Sequence, residues 1–377
     1  MDIKVIQHIA DWQSARTEWQ DVFQSNVNLS PYQSFEWLSH WWHYLGTGTL
    51  YILRVADADG RVIGFAPLHM RRKYYGVPVK HLAFIGVKRT DYLDFLVRPG
   101  QEDAFFQALF TFLKERQQEF RFIELRDFPD SSTNFAALTR HAGRIFPVYQ
   151  TESSRICVSI PLTADWQSYL GTLGKRTRKD VGYDRRYLAK RHEIRMAHFR
   201  NGQEFDKGYA DLVEVYKKRW DAEKGATRYS EDDASHFEAA AAKSLSKRGD
   251  YRLWMLYADE APVAALAGYE HNNKLFADVY AHVPAFHKLS VGNVVLGHAI
   301  EACIDNGLTE FDLSRGEERY KYKWNGQAKR NYHLKIYRSH ADMALTAALE
   351  HAYHKATNST TLLKIQSRIR EWKYGKS

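Results

Sequence analysis

The sequence contains little cysteine, since Cys157 and Cys303 are the only two among 377 residues. Two thiols are too few for a disulfide framework or a cysteine zinc site, and both lie in apolar stretches where a buried, reduced thiol is expected. Long apolar runs are also missing: nowhere do eighteen apolar residues follow one another, and the first residues lack the basic and then apolar order of a signal peptide. These absences predict a cytoplasmic protein without a membrane span.

Several catalytic motifs are absent as well. The sequence has no Walker loop, no nucleophile elbow and no dinucleotide fingerprint. Its 17 histidines are scattered, and the pairs His40 with His43 and His351 with His354 have no partnering Glu or Cys ligands in sequence. We therefore expect no metal site.

The remaining composition is that of a globular protein. Hydrophobic residues make up 44% and aromatic residues 14% of the chain, which is ample for packed interiors. A length of 377 residues favours two domains. We therefore expect two hydrophobic cores.

Positive charge is concentrated in one segment. The net charge of the chain is +9, and residues 171–200 alone carry ten basic and three acidic residues. Such a field attracts a polyanion such as a nucleotide sugar, a phosphorylated cofactor, RNA or an anionic membrane surface. We expect Arg178, Arg185 and Arg186 to bind an anionic ligand; the alternative is a solvated helix face.

The two halves of the chain share one order of predicted elements. Alternating apolar residues predict a hairpin over 51–56 and 61–68 and a second hairpin over 253–258 and 263–269. In each half, further strands and one amphipathic helix follow, which indicates a duplicated unit although identity between the halves is slight. The additional predicted strands cover 81–86, 92–97, 122–125, 275–282 and 311–313, and the two helices lie around 105–113 and 295–304.

Two further helices are predicted between the halves, around 205–220 and 237–245. Their regularly spaced aromatic residues are typical of a core. The tail from residue 341 onward is predicted to be helical and amphipathic, with an interruption near Asn358 and Ser359. Together these patterns predict a mixed α/β (α+β) fold of two lobes.

A candidate phosphate site follows the strand over 275–282. A pyrophosphate needs backbone N–H donors at a helix N-terminus and a small residue that lets it approach. Lys288, Ser290, Val291, Gly292 and Asn293 stand where such a helix begins. The alternative is an ordinary turn glycine.

A second candidate stretch is residues 311–324, a loop that leaves a strand end. It packs Arg, Gly, Tyr and Lys residues together, which supply an anion clamp, a permissive backbone and a proton donor. We expect Asp312, Arg315, Lys321 and Trp324 to bind substrate here. The alternative is a solvated charged loop followed by an edge strand.

These residues carry a resemblance to the GNAT-like acyltransferases of the CelD type, associated with polysaccharide biosynthesis, which are similar in turn to Fem-type aminoacyltransferases. The matching C-terminal residues are Tyr280, Pro284, Ser290, Gly292, Gly307, Phe311, Asp312, Arg315, Gly316, Tyr320, Lys321 and Trp324. The segments 31–37, 41–42 and 91–94 and the basic segment 175–191 also match.

The resemblance implies two GNAT-like lobes, each a mixed twisted sheet flanked by helices. The expected lobes are residues 1–160 and 161–340, followed by a tail over 341–377. It further implies that the C-terminal lobe holds the acyl donor, with acetyl-CoA expected, and that the acceptor lies between the lobes. Residues 288–293 depart from the family, whose phosphate loop is richer in Gly and Arg.

Acyl transfer requires a base, a group that stabilises the oxyanion and a proton for the leaving thiolate. Asp278 and Tyr280 stand at i and i+2 of one predicted strand, so their side chains share a face, and one can act as base and the other as hydroxyl donor. Tyr320 is the expected general acid. The alternative for Asp278 is a solvent-facing strand carboxylate.

Three functions remain open. The first is an acyl-CoA-dependent N- or O-acyltransferase that acts on an anionic envelope or exopolysaccharide precursor. The second is a Fem-like enzyme that uses aminoacyl-tRNA and so binds RNA through the basic segment. The third is a non-catalytic nucleic-acid-binding or scaffold protein on the same fold. Peripheral contact with an anionic membrane is compatible with the charge.

Overall fold

The computed structural model describes residues 1–153, 155–200, 204–224, 228–229 and 232–357, with the side chains of 221–224 excepted. The predicted interruption near Asn358 and Ser359 and the end of the predicted tail lie outside the described residues. The described chain is mixed α/β, which confirms the predicted fold class.

The N-terminal lobe opens with a strand and three helices and continues as strands interrupted by two helices. Its helices are α1 (Ile9–Ser14), α2 (Arg16–Ser25), α3 (Phe35–Leu45), α4 (Glu102–Glu115) and α5 (Asn134–Ile145), with a 3-10 turn at Pro31–Gln33. Its strands are β1 (Asp2–Ile6), β2 (Thr49–Leu50), β3 (Ile52–Ala56), β4 (Val62–Ala66), β5 (Leu68–Arg71), β6 (His81–Phe84), β7 (Leu96–Val97), β8 (Phe122–Pro129) and β9 (Val148–Glu152).

The C-terminal lobe has the same alternation. Its helices are α6 (Trp166–Thr172), α7 (Lys175–Ala189), α8 (Phe205–Lys224), α9 (Asp233–Arg248), α10 (Val291–Asp305) and α11 (Arg319–Lys323), and α12 (His340–Thr357) ends the described chain. The strands of its sheet are β10 (Cys157–Pro161), β11 (Ile194–Phe199), β12 (Tyr251–Ala258), β13 (Ala261–His271), β14 (Lys274–His282), β15 (Glu310–Arg315) and β16 (Gln327–Lys329). The last strand, β17 (Asn331–Tyr337), follows β16 along the chain but belongs to a sheet of the N-terminal lobe.

Three sheets are built from these strands. Their orders are β1-β3-β4-β7, β2-β5-β6-β8-β17-β9 and β11-β12-β13-β14-β15-β10-β16. Each lobe contains one parallel pair joined by a crossover, β6 with β8 and β14 with β15. The hairpins predicted for both halves are present as β3–β4 and β12–β13. The repeated order of elements is therefore confirmed.

The lobes exchange strands at their sequence boundaries. β17, which follows the C-terminal lobe along the chain, lies between β8 and β9 of the N-terminal lobe. In return, β10 lies between β15 and β16 of the C-terminal lobe. The expected boundaries at residues 160 and 340 therefore do not coincide with the edges of the sheets.

One hydrophobic core continues from the N-terminal lobe across the lobe interface. Trp37 on α3 packs edge-on against Tyr269 of β13 and Phe237 of α9, with ring centroids 5.3 and 5.0 Å apart. A second core lies on the other face of the C-terminal sheet, where α6, α7 and α10 pack. Among the aromatic residues of α8 and α9, Phe205, Tyr209, Tyr216 and Phe237 belong to or pack against the first core, as their spacing predicts, whereas Trp220 does not.

One strand prediction was wrong in detail, and one alternative is contradicted. Of the strand predicted over 92–97, only Leu96–Val97 pairs with a neighbour, because the residues before it cross the lobe interface as irregular chain. The residues Tyr320 to Lys323, for which an edge strand was the alternative, form helix α11. No helix in the described part of the chain is long and apolar enough to cross a membrane.

The parallel pair of the C-terminal lobe separates halfway along its length. β14 pairs with β15 only over Lys274–Phe276, and Asp278 then forms a bulge, because Ala277 and Val279 face consecutive residues of β13. Beyond this point the two strands diverge. Two cavities lie at this opening, and Tyr280 of β14 lines both.

Candidate active site

Two neighbouring cavities share a wall at the opened strand pair. The first, the interlobe cleft, has a volume of about 550 Å³ and lies between the lobes. The second, the α10 groove, has a volume of about 560 Å³ and lies at the N-terminal end of α10. Within the part of the chain that the structure describes, four residues line both cavities: Trp220, Tyr280, Glu318 and Tyr320.

The α10 groove contains four of the five residues predicted to hold a phosphate. Ser290, Val291, Gly292 and Asn293 line it, whereas Lys288 is exposed on the preceding 3-10 turn and is not among the lining residues. Ser290 has a left-handed backbone, with φ of 54°, and this turns the chain into α10. The N–H groups of the first turn of α10 are consequently presented beside the groove.

Gly292 is required where it stands. A Cβ at this position would lie 2.7 Å from the Tyr280 hydroxyl and 3.3 Å from Nδ1 of His282. Both contacts are shorter than an ordinary carbon contact, so a side chain would push the Tyr280 hydroxyl away and shift the His282 ring slightly. The glycine thus lets Tyr280 reach the helix N-terminus.

The groove has a mixed charge. Asp184 of α7 lies beside it and accepts a hydrogen bond from Asn293 at 3.4 Å, and burial raises the pKa of this carboxyl group. On the wall itself lie Arg219, His282 and His287. The two imidazoles stack with centroids 5.7 Å apart, and burial lowers the pKa of His282.

The sequence pattern did not indicate this histidine pair. His282 ends a strand and His287 stands in a short turn, so their spacing is not that of one regular element. Across the described residues, no group of three or more His, Cys, Asp or Glu side chains is arranged to hold a metal ion.

Asp278 and Tyr280 both line the interlobe cleft, as their spacing predicts. The Asp278 carboxylate is already paired: Nη2 of Arg228 lies 2.5 Å from its Oδ2, and Nη1 donates to its backbone carbonyl at 3.0 Å. The same guanidinium also binds Glu238 at 2.5 Å. Because it is held by Arg228, Asp278 is less available as a base than an unpaired carboxylate.

Tyr280 and Tyr320 meet where the two cavities join. Their ring centroids lie 5.4 Å apart. Burial raises the pKa of both phenols above their usual range. Both hydroxyls therefore stay protonated at neutral pH and can donate hydrogen bonds, and Tyr320 is a weaker acid than a free phenol.

Arg315 also lines the cleft, but much of its guanidinium is used across the lobe interface. It forms an ion pair with Asp91, and its Nη2 donates to the Thr90 carbonyl at 2.9 Å. Asp312, by contrast, is fully buried and accepts a hydrogen bond from the Tyr92 hydroxyl at 2.7 Å. It is not among the cleft-lining residues, so it joins the lobes instead of meeting substrate.

Lys321 and Trp324 also differ from the prediction. The Lys321 side chain is 2% exposed, and its ammonium donates to the carbonyls of Leu313, Ser314 and Arg315 at 2.9, 3.1 and 2.7 Å. The ammonium thereby holds the C-terminal end of β15, and only a small part of the Lys321 side chain borders the cleft. Trp324 is buried in the second core against Gly297. Neither arrangement leaves the side chain free to bind substrate.

The predicted anion-binding arginines lie on α7 and line neither cavity. Arg185 binds Glu301 of α10 at 2.7 Å, and Arg178 donates to the carbonyls of Gly171 and Leu173 at the end of α6. Arg186 is exposed. Within the cleft, positive charge comes instead from Lys88 and Arg89 of the N-terminal lobe, which the sequence pattern does not distinguish from other loop cations.

Comparison with known proteins agrees with this architecture. A family model described as an acetyltransferase (GNAT) domain matches residues 175–322. The crystal structure of FemX superposes with a TM-score of 0.60 and 13% identity, covering 89% of this chain and 97% of FemX. A domain named as the C-terminal domain of a lysylphosphatidylglycerol synthetase from Agrobacterium fabrum superposes with a TM-score of 0.55 and 11% identity, covering 89% and 96%.

No curated protein sequence matches the chain significantly. At such low identities the structural matches establish the fold alone. None of these comparisons distinguishes a CelD-type subgroup, which stays a prediction. Residues 175–322 therefore match the model of a GNAT acetyltransferase domain, and the chain has a two-lobed fold similar to that of FemX over 89% of its length.

Proposed function

We propose that the protein transfers an acyl group from acyl-CoA in the α10 groove to a nucleophile in the interlobe cleft. The observation that carries this proposal is the shared wall: Tyr280 and Tyr320 line both cavities, so a thioester entering from the groove meets an acceptor entering from the cleft. Bringing two reactants together in this way supplies much of the rate enhancement of a two-substrate enzyme.

The residues around the groove fit the phosphates of a CoA donor. Backbone N–H groups at Val291 to Asn293 would face the pyrophosphate, and Gly292 leaves the approach free. Arg219 adds a cation on the opposite wall. Asp184 opposes the anion, and its hydrogen bond with Asn293 would have to yield on binding. We propose acetyl-CoA as the first donor to test.

Within the cleft we propose that Tyr320 and Tyr280 donate hydrogen bonds to the reacting oxygen or sulfur, since burial keeps both phenols protonated. Asp278, held by Arg228, would orient the acceptor. Lys88 and Arg89 give the cleft cations suited to an anionic acceptor, and Arg89 also lies 3.8 Å from Glu238. An envelope or exopolysaccharide precursor, modified in the cytoplasm, is proposed from the sequence resemblance.

A second donor, aminoacyl-tRNA, is favoured by one observation: Arg176, Lys179 and Arg186 are exposed on α7, whose Asp184 touches the groove. A polyanion on that face would approach the same site. The fold shared with FemX is compatible with this donor but does not distinguish it.

The test is a thermal-shift titration with acetyl-CoA, longer acyl-CoA species and aminoacyl-tRNA, because a bound donor stabilises the protein by mass action. A donor present at 100 times its Kd should stabilise by about 2.7 kcal/mol. A shift with acyl-CoA supports the proposal, and a shift with aminoacyl-tRNA alone, abolished by RNase, favours the second donor. No shift with any donor would exclude both.

A further inference from the structure

Among the described residues, one carboxylate stands where the two cavities meet. Of the four side chains that line both, Trp220 carries no acid or base, and burial keeps the phenols of Tyr280 and Tyr320 protonated. Glu318 is the fourth. Its side chain is 57% exposed, so it is open to both cavities and to solvent.

The other nearby carboxylates are placed less well for proton transfer. Asp278 and Glu238 share the guanidinium of Arg228 and line the interlobe cleft without reaching the groove. Asp91 is paired with Arg315 at the lobe interface. These ion pairs are short and largely buried, whereas the pair of Glu318 with Lys321 is longer, at 3.2 Å, and leaves the Glu318 side chain 57% exposed, so its carboxylate can accept a proton at lower cost.

The backbone around Glu318 is arranged to hold its carboxylate in place. Gly316 has a φ of 106°, which favours glycine, and a Cβ there would lie 2.5 Å from Oε2 of Glu318, so a side chain would push the carboxylate out of its present position. Lys321 contacts the same oxygen at 3.2 Å. Since three carbonyls fix the Lys321 ammonium, it orients Glu318 from a rigid position.

We infer that Glu318 is the general base of the proposed acyl transfer and that the acceptor nucleophile is an amine or hydroxyl delivered through the cleft. The nucleophile forms a bond to the thioester carbonyl carbon while its proton passes to a Glu318 oxygen. The carbon–sulfur bond then breaks, and the same proton is returned to the departing sulfur. The products are the acylated acceptor and the free thiol, with no further reactant needed.

This inference rests on the proposed function, so the experiment begins with the wild-type protein. Thiol release from acetyl-CoA is followed with an amino sugar, an amino acid amide and a diamine as probe acceptors. If no probe is acylated by the wild type, with acetyl-CoA or a longer acyl-CoA, the proposed acyl-CoA-dependent reaction fails and the assignment of Glu318 falls with it.

With an active wild type, Glu318→Gln should lower kcat by about 100-fold or more while KM changes by less than about threefold, as expected for loss of a general base. Gln keeps the size of the side chain and an oxygen beside Lys321 but loses the charge and the basicity, so a change in the fold alone would appear in the melting temperature. Glu317→Gln is the matched control: Glu317 is exposed, accepts from the Tyr322 hydroxyl at 3.0 Å and lines neither cavity. Its kcat should stay within about twofold of the wild type.

A rescue experiment separates chemistry from structure. In Glu318→Ala, formate or acetate should restore kcat at least tenfold, because a small carboxylate can occupy the space left beside Lys321. Melting temperatures of all variants are recorded to show that they fold. The inference is overturned if Glu318→Gln keeps more than a third of wild-type kcat, or if the activity of folded Glu318→Ala does not respond to added carboxylate.

Discussion

Arg315 and Asp91 connect the two lobes beside the interlobe cleft. The guanidinium of Arg315, at the end of β15, forms an ion pair with the buried carboxylate of Asp91 in the N-terminal lobe. The Arg315 backbone N–H donates to the same carboxylate at 3.1 Å. Burial raises the pKa of Asp91, and the Arg315 charge opposes that shift. The contact therefore fixes the cleft wall as well as the lobes.

Asp91→Asn should lower the free energy of unfolding by about 2 kcal/mol, because it leaves the Arg315 charge without its partner. Urea denaturation followed by fluorescence measures the change. Glu152→Gln, which removes an exposed pair with Arg330 at 3.2 Å, is the control and should change stability by less than about 0.5 kcal/mol. Equal effects of the two variants would contradict a structural role for the lobe contact.

Gly292→Ala tests the α10 groove. The added Cβ would displace the Tyr280 hydroxyl, which lies 2.7 Å from it, and would narrow the approach to the helix N-terminus. We expect KM for acyl-CoA to rise about tenfold, a loss of about 1.4 kcal/mol in donor binding. Gly143→Ala on α5 is the control, since its Cβ would meet no atom within 4 Å. An unchanged donor KM in folded Gly292→Ala would remove the groove as the donor site.

The exposed face of α7 can be tested separately from the cavities. Replacing Arg176, Lys179 and Arg186 by Gln should leave acetyl-CoA turnover unchanged, because none of them lines either cavity. If α7 holds RNA, the same variant should bind tRNA about tenfold more weakly, and the slope of log K against log salt should fall by about two.

A matched control removes three exposed cations from the N-terminal lobe, by replacing Arg72, Lys73 and Lys80 with Gln. It has the same net charge as the α7 variant. If both variants lose the same tRNA affinity, net charge explains the binding, and α7 is not a specific anion site.

Acid sensitivity of the fold can be assigned to buried histidines. Burial lowers the pKa of His69 to about 4, below the unfolded value of 6.5. Between these values the unfolded chain binds the proton and the folded chain does not, so stability is full above pH 6.5 and falls as the pH drops toward 4. Proton uptake by His69 on unfolding should lower the free energy of unfolding at pH 4.5 by on the order of 2 to 3 kcal/mol.

His69→Asn keeps a donor for the Thr47 carbonyl, which lies 2.9 Å from Nδ1 of His69, but cannot titrate. The free energy of unfolding of this variant should therefore fall less between pH 7.5 and pH 4.5 than that of the wild type, by about 2 to 3 kcal/mol. Urea denaturation at both pH values measures the difference. The same exchange at the exposed His351 should leave the loss as in the wild type. An unchanged loss in His69→Asn would contradict the assignment.

The sequence predicted those features that depend on neighbours along the chain. The two hairpins, the helices of each half and the turn before Gly292 follow from local periodicity, and all are present. Tyr280 and Tyr320 were also predicted, and the structure brings them together. Each of these predictions required only the order of residues within one element or its adjoining loop.

The features that were missed depend on contacts between distant segments. Arg228 reaches Asp278 across 50 residues, and Lys88 and Arg89 enter the cleft from the other lobe. Polar residues that look ligand-binding in sequence, such as Lys321 and Asp312, are used by the fold itself. Residue type alone cannot distinguish a side chain that binds a ligand from one that stabilises the fold, because both use the same hydrogen-bond donors and acceptors.

The exchanged strand β17 has a consequence for biosynthesis. Its residues, Asn331–Tyr337, fill an interior place between β8 and β9, so the six-stranded sheet of the N-terminal lobe lacks an interior strand until those residues leave the ribosome. At typical rates of synthesis, the earlier half waits roughly ten seconds or more with two unpaired strand edges. This sheet, although most of its strands are translated early, can thus be completed only near the end of synthesis.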